Sequence, residues 1–176
     1  KFPVVELAES FDISADLQEL AHTNVAVVCA GIKSVLDIGL TLEYLETFGV
    51  PVIGYKTSEL PAFYTQKSGF KVNYKMDSAK EIATMLSIKW GLSLNGGVLI
   101  TNPIPKEKEL AFEEIQKAIE EALVEEKKRG IKGKESTPFL LDKVRKLTGG
   151  SSLKANIELV YNNVGLSADI AKEYKY

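Results

Sequence analysis

Lys33 stands at a position where an amine could act on a bound ligand. It lies two residues beyond Gly31, the glycine that ends the apolar run 25–30. Because open α/β folds bind ligands at the carboxyl edge of the sheet, a lysine after a buried strand can hold a phosphate. With its pKa lowered from about 10.4 by partial burial or a neighbouring cation, it could instead attack a carbonyl as a free amine. A solvated lysine in a strand-to-helix turn is the alternative, and position alone leaves these interpretations open.

Two carboxylates and a hydroxyl recur at every second position near the start of the chain, as Asp12, Ser14 and Asp16. If this stretch is extended, the three side chains point to the same side, because side chains alternate along a strand. Such oxygen ligands can hold a hard cation or form hydrogen bonds with sugar hydroxyls. Helix capping is the alternative, because Ser14 or Asp16 could open a helix that continues through Leu17 and Leu20. Capping explains one of these residues well and all three poorly.

Three further polar residues have a plain structural interpretation beside the functional one. His22 is the only histidine and precedes the first apolar run, where a surface or loop-tethering role is favoured over catalysis. Cys29 lies inside that run, where a small buried hydrophobic residue is the expected role and a reactive thiolate is not. Asn156, near the end of the chain, could direct its amide into a pocket or lie at a helix surface, and nothing local decides between them.

The elements around these residues alternate between buried strands and helices. Continuous runs rich in β-branched residues at 25–30, 50–55 and 98–101 predict strands covered on both faces, as in a parallel sheet. Helices are predicted over residues 34–48, from a Ser78–Glu81 capping box, from about 107 to 129, from 137, and from 151 or 152. Residues 56–73 fit neither periodicity and predict an ordered, aromatic-rich loop.

The last two predicted helices complete the fold class. Thr137 and Pro138 are expected at the N-cap and first helical positions of one. The other is expected to turn five apolar side chains inward: Leu153, Ile157, Val160, Tyr161 and Val164. The prediction is an α/β fold with a mostly parallel sheet flanked by helices and a helical C-terminal block.

Composition and charge exclude several classes of protein. The 176 residues are 45% hydrophobic and 26% charged, which are values typical of globular chains. With 22 Lys and Arg against 24 Asp and Glu, the net charge of -2 argues against a nucleic-acid partner. A single cysteine excludes an internal disulfide and indicates a reducing compartment. No apolar run approaches the roughly 20 residues that span a bilayer, so we expect a cytoplasmic protein with no membrane partner.

Six segments together resemble one known family. They are residues 10–17, 30–43, 63–70, 101–105, 137–141 and 147–157. In this order they closely resemble the pseudouridine-5′-phosphate glycosidase family, also called indigoidine synthase A-like. The resemblance runs from residue 9 to about residue 170, and it is specific because several long motifs recur in sequence.

The resemblance implies an activity and a nucleophile. Members of the family cleave the C–C glycosidic bond of pseudouridine 5′-phosphate, giving uracil and ribose 5-phosphate, with a divalent metal that is usually Mn²⁺. By this resemblance, Lys33 would form an imine-type adduct with C1′ of the ring-opened sugar. Asp12 would be the metal ligand, with water at most other positions. A lysine-dependent aldolase is another reading of Lys33, but it does not explain the longer motifs.

The resemblance also implies substrate contacts. Ser14, Ala15 and Asp16 would lie against the ribose phosphate, and Asn156 would meet the uracil edge. The small-molecule substrate would be pseudouridine 5′-phosphate or, in the reverse direction, its two products. A homo-oligomer, specifically a trimer, and a cytoplasmic or, in a eukaryote, organellar location are further expectations from the family.

The chain departs from the family in its length. The N-terminal portion is absent, and with it the glutamate expected to donate a proton and a lysine expected to contact substrate. Residues 1–176 are therefore expected to form a single α/β domain, the C-terminal part of a larger glycosidase domain. Since the chain starts at Lys1 without a methionine, it is read as a fragment, a processed product or an ordered remnant. Either a separate N-terminal polypeptide supplies the rest, or the chain is a non-catalytic sugar-phosphate-binding or assembly subunit.

Overall fold

The computed structural model describes residues 4–5, 12–32 and 37–175, apart from the side chains of residues 4, 5, 12, 13 and 134. The strands in these ranges are β1 (Val4–Val5), β2 (Asp12–Ile13), β3 (Ala26–Cys29), β4 (Val52–Tyr55), β5 (Tyr74–Met76) and β6 (Val98–Thr101). The helices are α1 (Ala15–His22), α2 (Ile38–Thr47), α3 (Ala79–Gly91), α4 (Phe112–Arg129), α5 (Ser136–Leu147) and α6 (Ser151–Glu173). Short 3₁₀ turns at Lys106–Lys108 and Gly133–Glu135 precede α4 and α5.

Four strands form a parallel sheet in the order β3-β6-β4-β5, and β1 pairs with β2 in a separate antiparallel pair. In the sheet, Val27 lies opposite Leu99, and Ile53 lies opposite Ile100. All of β6 and the first three residues of β4 are buried, which explains why both are continuous apolar runs. The parallel order brings the carboxyl ends of β3, β6 and β4 to one edge, where α/β sheets bind their ligands.

Alternate residues of the strands point into two cores. Val52 and Leu99 point into the first core, which α1, α2, α4 and α5 cover. Ile53 points into the second core, which α3 and the C-terminal half of α6 cover. Helix α6 contributes Leu159 to the first core and Leu166 to the second, so it is a helix that packs in both.

From β3 onward the predicted order of elements is confirmed, except that β5 is an additional strand and some elements differ at their ends. The sequence does not predict β5, because its exposed Tyr74 and Lys75 lack the apolar pattern of the inner strands. The capping box is confirmed, since the Ser78 hydroxyl accepts from Glu81 N–H at 3.1 Å. Helix α4 begins only at Phe112, because a 3₁₀ turn occupies the first residues of the predicted helix.

The predicted start of α5 is wrong by two residues. The helix begins at Ser136, so Thr137 and Pro138 both lie in its first turn and Thr137 is not the N-cap. Proline is accommodated there because the first N–H groups of a helix have no partner within it. The irregular loop predicted over residues 56–73 is confirmed, and two isolated β-bridges help to hold it.

The orientation predicted for the last helix is wrong. Its large apolar residues are exposed by 47 to 71%: Leu153, Ile157, Val160, Tyr161 and Val164. The buried residues lie on another stripe of the same helix: Ser152, Ala155, Leu159, Leu166 and Ile170. These five follow one another at helical spacing and include small residues that allow close packing. The sequence carries two apolar stripes, and the one with the larger side chains faces away from the described core.

None of the helices in the described ranges is both long enough and apolar enough to cross a membrane.

Candidate functional site

The backbone that leads from β3 to Lys33 is held by the loop that follows β4. Gly31 forms an antiparallel bridge with Ala62. Its φ is +88°, and a Cβ at this position would lie 1.8 Å from the carbonyl oxygen of Pro61. Glycine is therefore required here both by its conformation and by the close approach of the loop. Lys33 itself lies outside the described residues, so its predicted role stays a prediction.

At the carboxyl edge of the sheet, Asn102 links the end of β6 by hydrogen bonds to β3 and α6. It is the first residue after β6 and is buried, and its N–H donates to the carbonyl of Cys29 at 2.7 Å. Its side-chain amide donates to the Asn162 carbonyl at 3.1 Å and to Asn163 Oδ1 at 3.3 Å. In return, the Asn162 amide donates to the carbonyl of Pro103 at 3.0 Å. These bonds fix the middle of α6 against the carboxyl edge of the sheet.

The loop over residues 56–73 is ordered by the segment that follows β6. The Gln66 side chain donates to the Ile104 carbonyl at 2.8 Å, and Gln66 N–H donates to a Glu109 carboxylate oxygen at 2.7 Å. Tyr64 is buried in the first core, and burial raises its pKa to about 12, while a hydrogen bond with Ser152 of α6 opposes the rise. The loop therefore contacts both the sheet edge and α6, which gives this edge a defined wall.

A cavity of about 810 Å³ opens between this loop and the carboxyl ends of β4 and β6. Its lining includes Tyr55 at the end of β4 and Lys56 directly after it, Asn102 directly after β6, and Asn162 of α6. Its volume is within the range of sites for small molecules.

Positive charge dominates the wall of the cavity. Four lysines line it, and the one acidic residue among the lining residues is Glu59, which accepts a hydrogen bond from Gly69 N–H at 2.9 Å. Lys56 has φ of +58°, an uncommon conformation for a residue other than glycine, and its amine lies 4.8 Å from the Tyr55 ring centroid. Such a surface favours a small molecule that carries negative charge.

Ser14 caps α1, and Asp16 lies in its first turn. The Ser14 hydroxyl accepts from Asp16 N–H at 3.3 Å and donates to Asp16 Oδ2 at 3.2 Å. The capping interpretation is therefore confirmed for Ser14, and the extended arrangement of Asp12, Ser14 and Asp16 is wrong, because the chain becomes helical at Ala15. The described residues do not include the side chain of Asp12, whose backbone lies in β2.

The topology directs the start of α1 to the carboxyl side of the sheet. The end of α1 lies at the amino end of β6, because the Leu20 carbonyl accepts from Gly97 N–H at 2.7 Å. A helix that returns in three residues to the start of β3 runs antiparallel to that strand. Ser14, Ala15 and Asp16 therefore lie toward the edge at which β3 ends and the chain continues to Lys33.

Asn156 lies on α6, one turn beyond Ser152, and it is partly buried. It does not line the 810 Å³ cavity, whereas Asn162 of the same helix does. Asn156 precedes Asn162 by six residues, or about 9 Å along the helix axis. The predicted contact of Asn156 with a uracil edge stays a prediction.

No group of three or more His, Cys, Asp or Glu side chains in the described part of the chain could hold a metal ion. Those side chains do not form a metal centre by themselves. The side chain of Asp12, the predicted ligand, lies outside the described residues.

The plain interpretations of His22 and Cys29 agree with the structure. His22 is exposed, and its Nδ1 lies 2.7 Å from the Gln18 carbonyl one turn earlier. Cys29 packs against the first core, and desolvation by burial raises the pKa of its thiol to about 11. Neither residue has the environment of a catalytic group.

Sequence reasoning missed the asparagines and Lys56 at the edge of the sheet. A signal existed for Asn102, because a polar side chain directly after a buried strand lies at the carboxyl edge. For Asn162 there was no local signal, since its position depends on where α6 crosses the sheet.

Comparison with known proteins places this arrangement in a family. The model of the indigoidine synthase A like protein family matches residues 5–173. The chain belongs to the indigoidine synthase A-like family. Pseudouridine-5′-phosphate glycosidases from Clostridium botulinum and Petrotoga mobilis are 66% and 65% identical to it over 165 and 166 residues, which are 94% of this chain. The Escherichia coli glycosidase of the same name is 58% identical over 166 residues.

Solved structures confirm the fold. An indigoidine synthase A-like protein from Thermotoga maritima is 37% identical, with a TM-score of 0.82 over 91% of this chain. A prealnumycin C-glycosynthase in complex with ribulose 5-phosphate is 34% identical, with a TM-score of 0.82 over 94% of this chain. The chain spans about half the length of the proteins it matches, from 53 to 56% of those named above.

Proposed function

We propose that this chain is one part of a pseudouridine-5′-phosphate glycosidase, which cleaves the C–C glycosidic bond to give uracil and ribose 5-phosphate. The observation that carries the proposal is 66% identity, over 94% of the chain, to a glycosidase of that name. A structural relative binds ribulose 5-phosphate, a sugar phosphate of the same class. The cavity lined by lysines at the carboxyl edge offers an anionic sugar phosphate a favourable electrostatic environment.

In this proposal Lys33 is the nucleophile. A C-glycoside has no heteroatom that could leave, so direct hydrolysis of the kind used on N-glycosides is unfavourable. When the ribose ring opens, the C1′–O4′ bond breaks and O4′ takes a proton, and the Lys33 amine adds to C1′ to give a secondary amine that still carries the uracil. The bond from C1′ to the uracil carbon then breaks as that carbon takes a proton, which leaves an imine between Lys33 and C1′. Water hydrolyses this imine and releases ribose 5-phosphate and the free lysine. The rigid approach through Gly31 supports this role because it restrains the backbone just before Lys33.

Substrate contacts are proposed for the start of α1 and for α6. The N–H groups at the first turn of a helix favour a phosphate, so Ser14, Ala15 and Asp16 would lie against the ribose phosphate. Asn156 would meet the uracil edge through its amide, which can both donate and accept hydrogen bonds. The proton donor would come from the portion of the enzyme that this chain does not span.

A divalent cation, Mn²⁺, is proposed as the cofactor, with Asp12 as its protein ligand and water at most other positions. A carboxylate with water is a suitable ligand set for this hard cation, which would supply charge neutralisation near the substrate oxygens. The Mn²⁺ electron paramagnetic resonance signal tests the site directly. We expect Asp12→Asn to weaken Mn²⁺ binding and Asp169→Asn, at an exposed position near the end of α6, to leave it unchanged.

Release of uracil from pseudouridine 5′-phosphate tests the activity. The chain should be assayed with Mn²⁺, both alone and joined to the portion of the Clostridium botulinum relative that it does not match. We expect Lys33→Ala to abolish turnover in the joined protein, whereas Lys80→Ala, an exposed lysine on α3, should retain it. Borohydride should trap an adduct on Lys33 in the parent protein. Turnover that survives Lys33→Ala would exclude the proposed nucleophile.

A non-catalytic subunit that binds a sugar phosphate is the second candidate, because the four lysines that line the cavity suit an anionic ligand whether or not a reaction follows. That candidate predicts ribose 5-phosphate binding without uracil release, even in the joined protein. Assembly into a homotrimer and a cytoplasmic location are further proposals from the family, and sedimentation of the joined protein tests the trimer.

A further inference from the structure

The N-terminal half of α6 exposes a continuous apolar surface, the α6 stripe, formed by Leu153, Ile157, Val160, Tyr161 and Val164. The exposed fractions of these residues are 47, 48, 56, 71 and 61%, respectively. Their spacing of four, three, one and three residues places them on one face of the helix. A contiguous stripe of large apolar side chains differs from the scattered exposed ones that any protein carries, and it indicates a contact surface.

The fold of the described residues does not need this surface. The opposite stripe of α6 already holds the helix through Leu159 in the first core and through Leu166 and Ile170 in the second. Beyond residue 164, the exposed positions of the same helix carry small or charged residues such as Gly165, Ser167 and Asp169. The apolar exposure is therefore confined to the half of α6 that also carries Asn156.

Strand β3, against which α6 packs, offers a second unfinished surface. Among the described strands β3 pairs only with β6, so it forms an edge of the sheet. The carbonyls of Val25 and Cys29 accept hydrogen bonds from the β6 side. Because the backbone groups of alternate residues point to opposite sides, the N–H and carbonyl groups of Ala26 and Val28 point to the open edge.

The composition of β3 is that of an inner strand. All four of its residues are apolar and only partly buried. It contains neither a proline nor a charged residue, which are the features that protect an edge strand from pairing. One residue beyond β3, the carbonyl of Ala30 accepts a hydrogen bond at 3.1 Å from Phe63 N–H, which belongs to the loop after β4. Since a parallel strand rich in β-branched residues is normally covered on both sides, β3 has the character of a strand with a missing neighbour.

We infer that the α6 stripe and the open edge of β3 are the surface that receives the portion of the enzyme this chain does not span. The inference rests on the proposed function. Relatives of 58 to 66% identity carry nearly half of their length beyond the matched region. If that length forms one domain with the matched half, it buries part of the surface of the matched half. One polypeptide that supplies a strand to β3 and an apolar face to α6 accounts for both surfaces. A second copy of this chain would cover the stripe but would not account for the missing length.

Cysteine labelling tests the inference in two proteins, the chain alone and the chain joined to the unmatched portion of the Clostridium botulinum relative. Val160→Cys places a thiol in the α6 stripe, and Val124→Cys places one at a position of α4 that is 70% exposed. The native Cys29 gives little background at pH 8, because burial raises the pKa of its thiol to about 11. Both new thiols should react quickly with a maleimide in the chain alone.

In the joined protein we expect labelling at position 160 to slow by tenfold or more, roughly the protection of a buried site, while labelling at position 124 stays unchanged. Amide hydrogen exchange at Ala26 and Val28 should slow in the same comparison. Equal labelling at position 160 in both proteins would overturn the inference. So would protection in the chain alone that grows with its concentration, because a second copy would then be the occupant. If position 160 is protected but no uracil is released, the docking surface is supported and the proposed function is rejected. If uracil is released but position 160 is not protected, the proposed function is supported and the docking surface is rejected.

Discussion

At the scale of single residues, the close contact between Gly31 and Pro61 determines how the chain approaches Lys33. Any side chain at residue 31 would meet the Pro61 carbonyl and would also strain a backbone at φ +88°. The sequence shows a glycine after a strand and a lysine two residues later. It does not show that a loop from beyond β4 returns to touch that glycine, because the two segments are 30 residues apart. The lysine could therefore be singled out from the sequence, but the restraint on it could not.

Two weakly acidic side chains with raised pKa values, Cys29 and Tyr64, predict how the stability of the chain depends on pH. The pKa of Cys29 rises from 9.0 to about 11, and that of Tyr64 rises from 10.0 to about 12, both through desolvation by burial. Folding therefore holds these protons more tightly than the unfolded chain does. The stabilisation is fully present below pH 9 and is lost as the pH rises from 9 towards 12. Between its pKa in the unfolded chain and its pKa in the folded chain, each group lowers the unfolding free energy by about 1.4 kcal/mol per pH unit.

Tyr64→Phe tests the tyrosine contribution to this pH dependence. At pH 7 the variant should lose about 1 kcal/mol of unfolding free energy, because the hydrogen bond with Ser152 is removed. Between pH 10 and 12 its stability should fall less steeply than that of the parent chain. Urea unfolding at a series of pH values measures both effects. Tyr74→Phe, at a position that is 63% exposed, serves as the control, and identical slopes for Tyr64→Phe and the parent would contradict the prediction.

At the scale of elements, the bonds of Asn102 decide where α6 lies relative to the sheet. Asn102→Ala removes the donor to Asn162 and Asn163 at a buried position and should cost about 1–3 kcal/mol of unfolding free energy. Asn102→Asp keeps the volume but directs a carboxylate at the Asn162 carbonyl, so it should cost at least as much. Hydrogen exchange in the middle of α6 should accelerate in both variants. Stability retained in Asn102→Asp would mean that shape, and not the donated hydrogen bonds, holds the helix.

Helix α6 also shows which part of the fold could be predicted from the sequence. Its existence and its start near Ser151 follow from periodicity and from the preceding Thr148, Gly149 and Gly150. Its buried face does not follow, because the stripe through Ala155 and Leu159 has smaller side chains than the stripe through Ile157 and Val160. The choice between two apolar faces depends on what the rest of the protein presents to them. Hydrophobicity alone selects the wrong one.

For the inner strands of the sheet, in contrast to α6, hydrophobicity alone gives the correct prediction. Strands β4 and β6 are recognisable because burial on both faces requires apolar residues at every position. Strand β5 is not recognisable, because at the sheet edge Tyr74 and Lys75 face solvent. The residues of the candidate site divide in the same way, according to whether a local pattern marks them. Ser14 and Asp16 could be selected by their local pattern, whereas Lys56 and Asn162 join the cavity only through contacts between elements distant in sequence.

At the scale of the whole molecule, α6 makes the two cores depend on each other. Leu159 is 1% exposed in the first core, and Leu166 is 6% exposed in the second, on opposite sides of the Asn162 contact with the sheet. If the cores were independent, a cavity in one would leave the unfolding of the other unchanged. Because one helix contributes to both cores, a cavity in either core should instead destabilise the entire chain.

Leu159→Ala and Leu166→Ala test this coupling. Each should lower the unfolding free energy by about 2–5 kcal/mol, because each leaves a cavity among packed side chains. Leu153→Ala, on the exposed stripe of the same helix, should change it by far less in the chain alone. Fluorescence of Trp90, which packs against the second core, reports there, while far-ultraviolet circular dichroism reports on all helices. Both signals should move together in both core variants, since α6 cannot leave one core and stay in the other. A Leu159→Ala chain that loses helix content while Trp90 keeps the parent transition would show that the cores unfold separately.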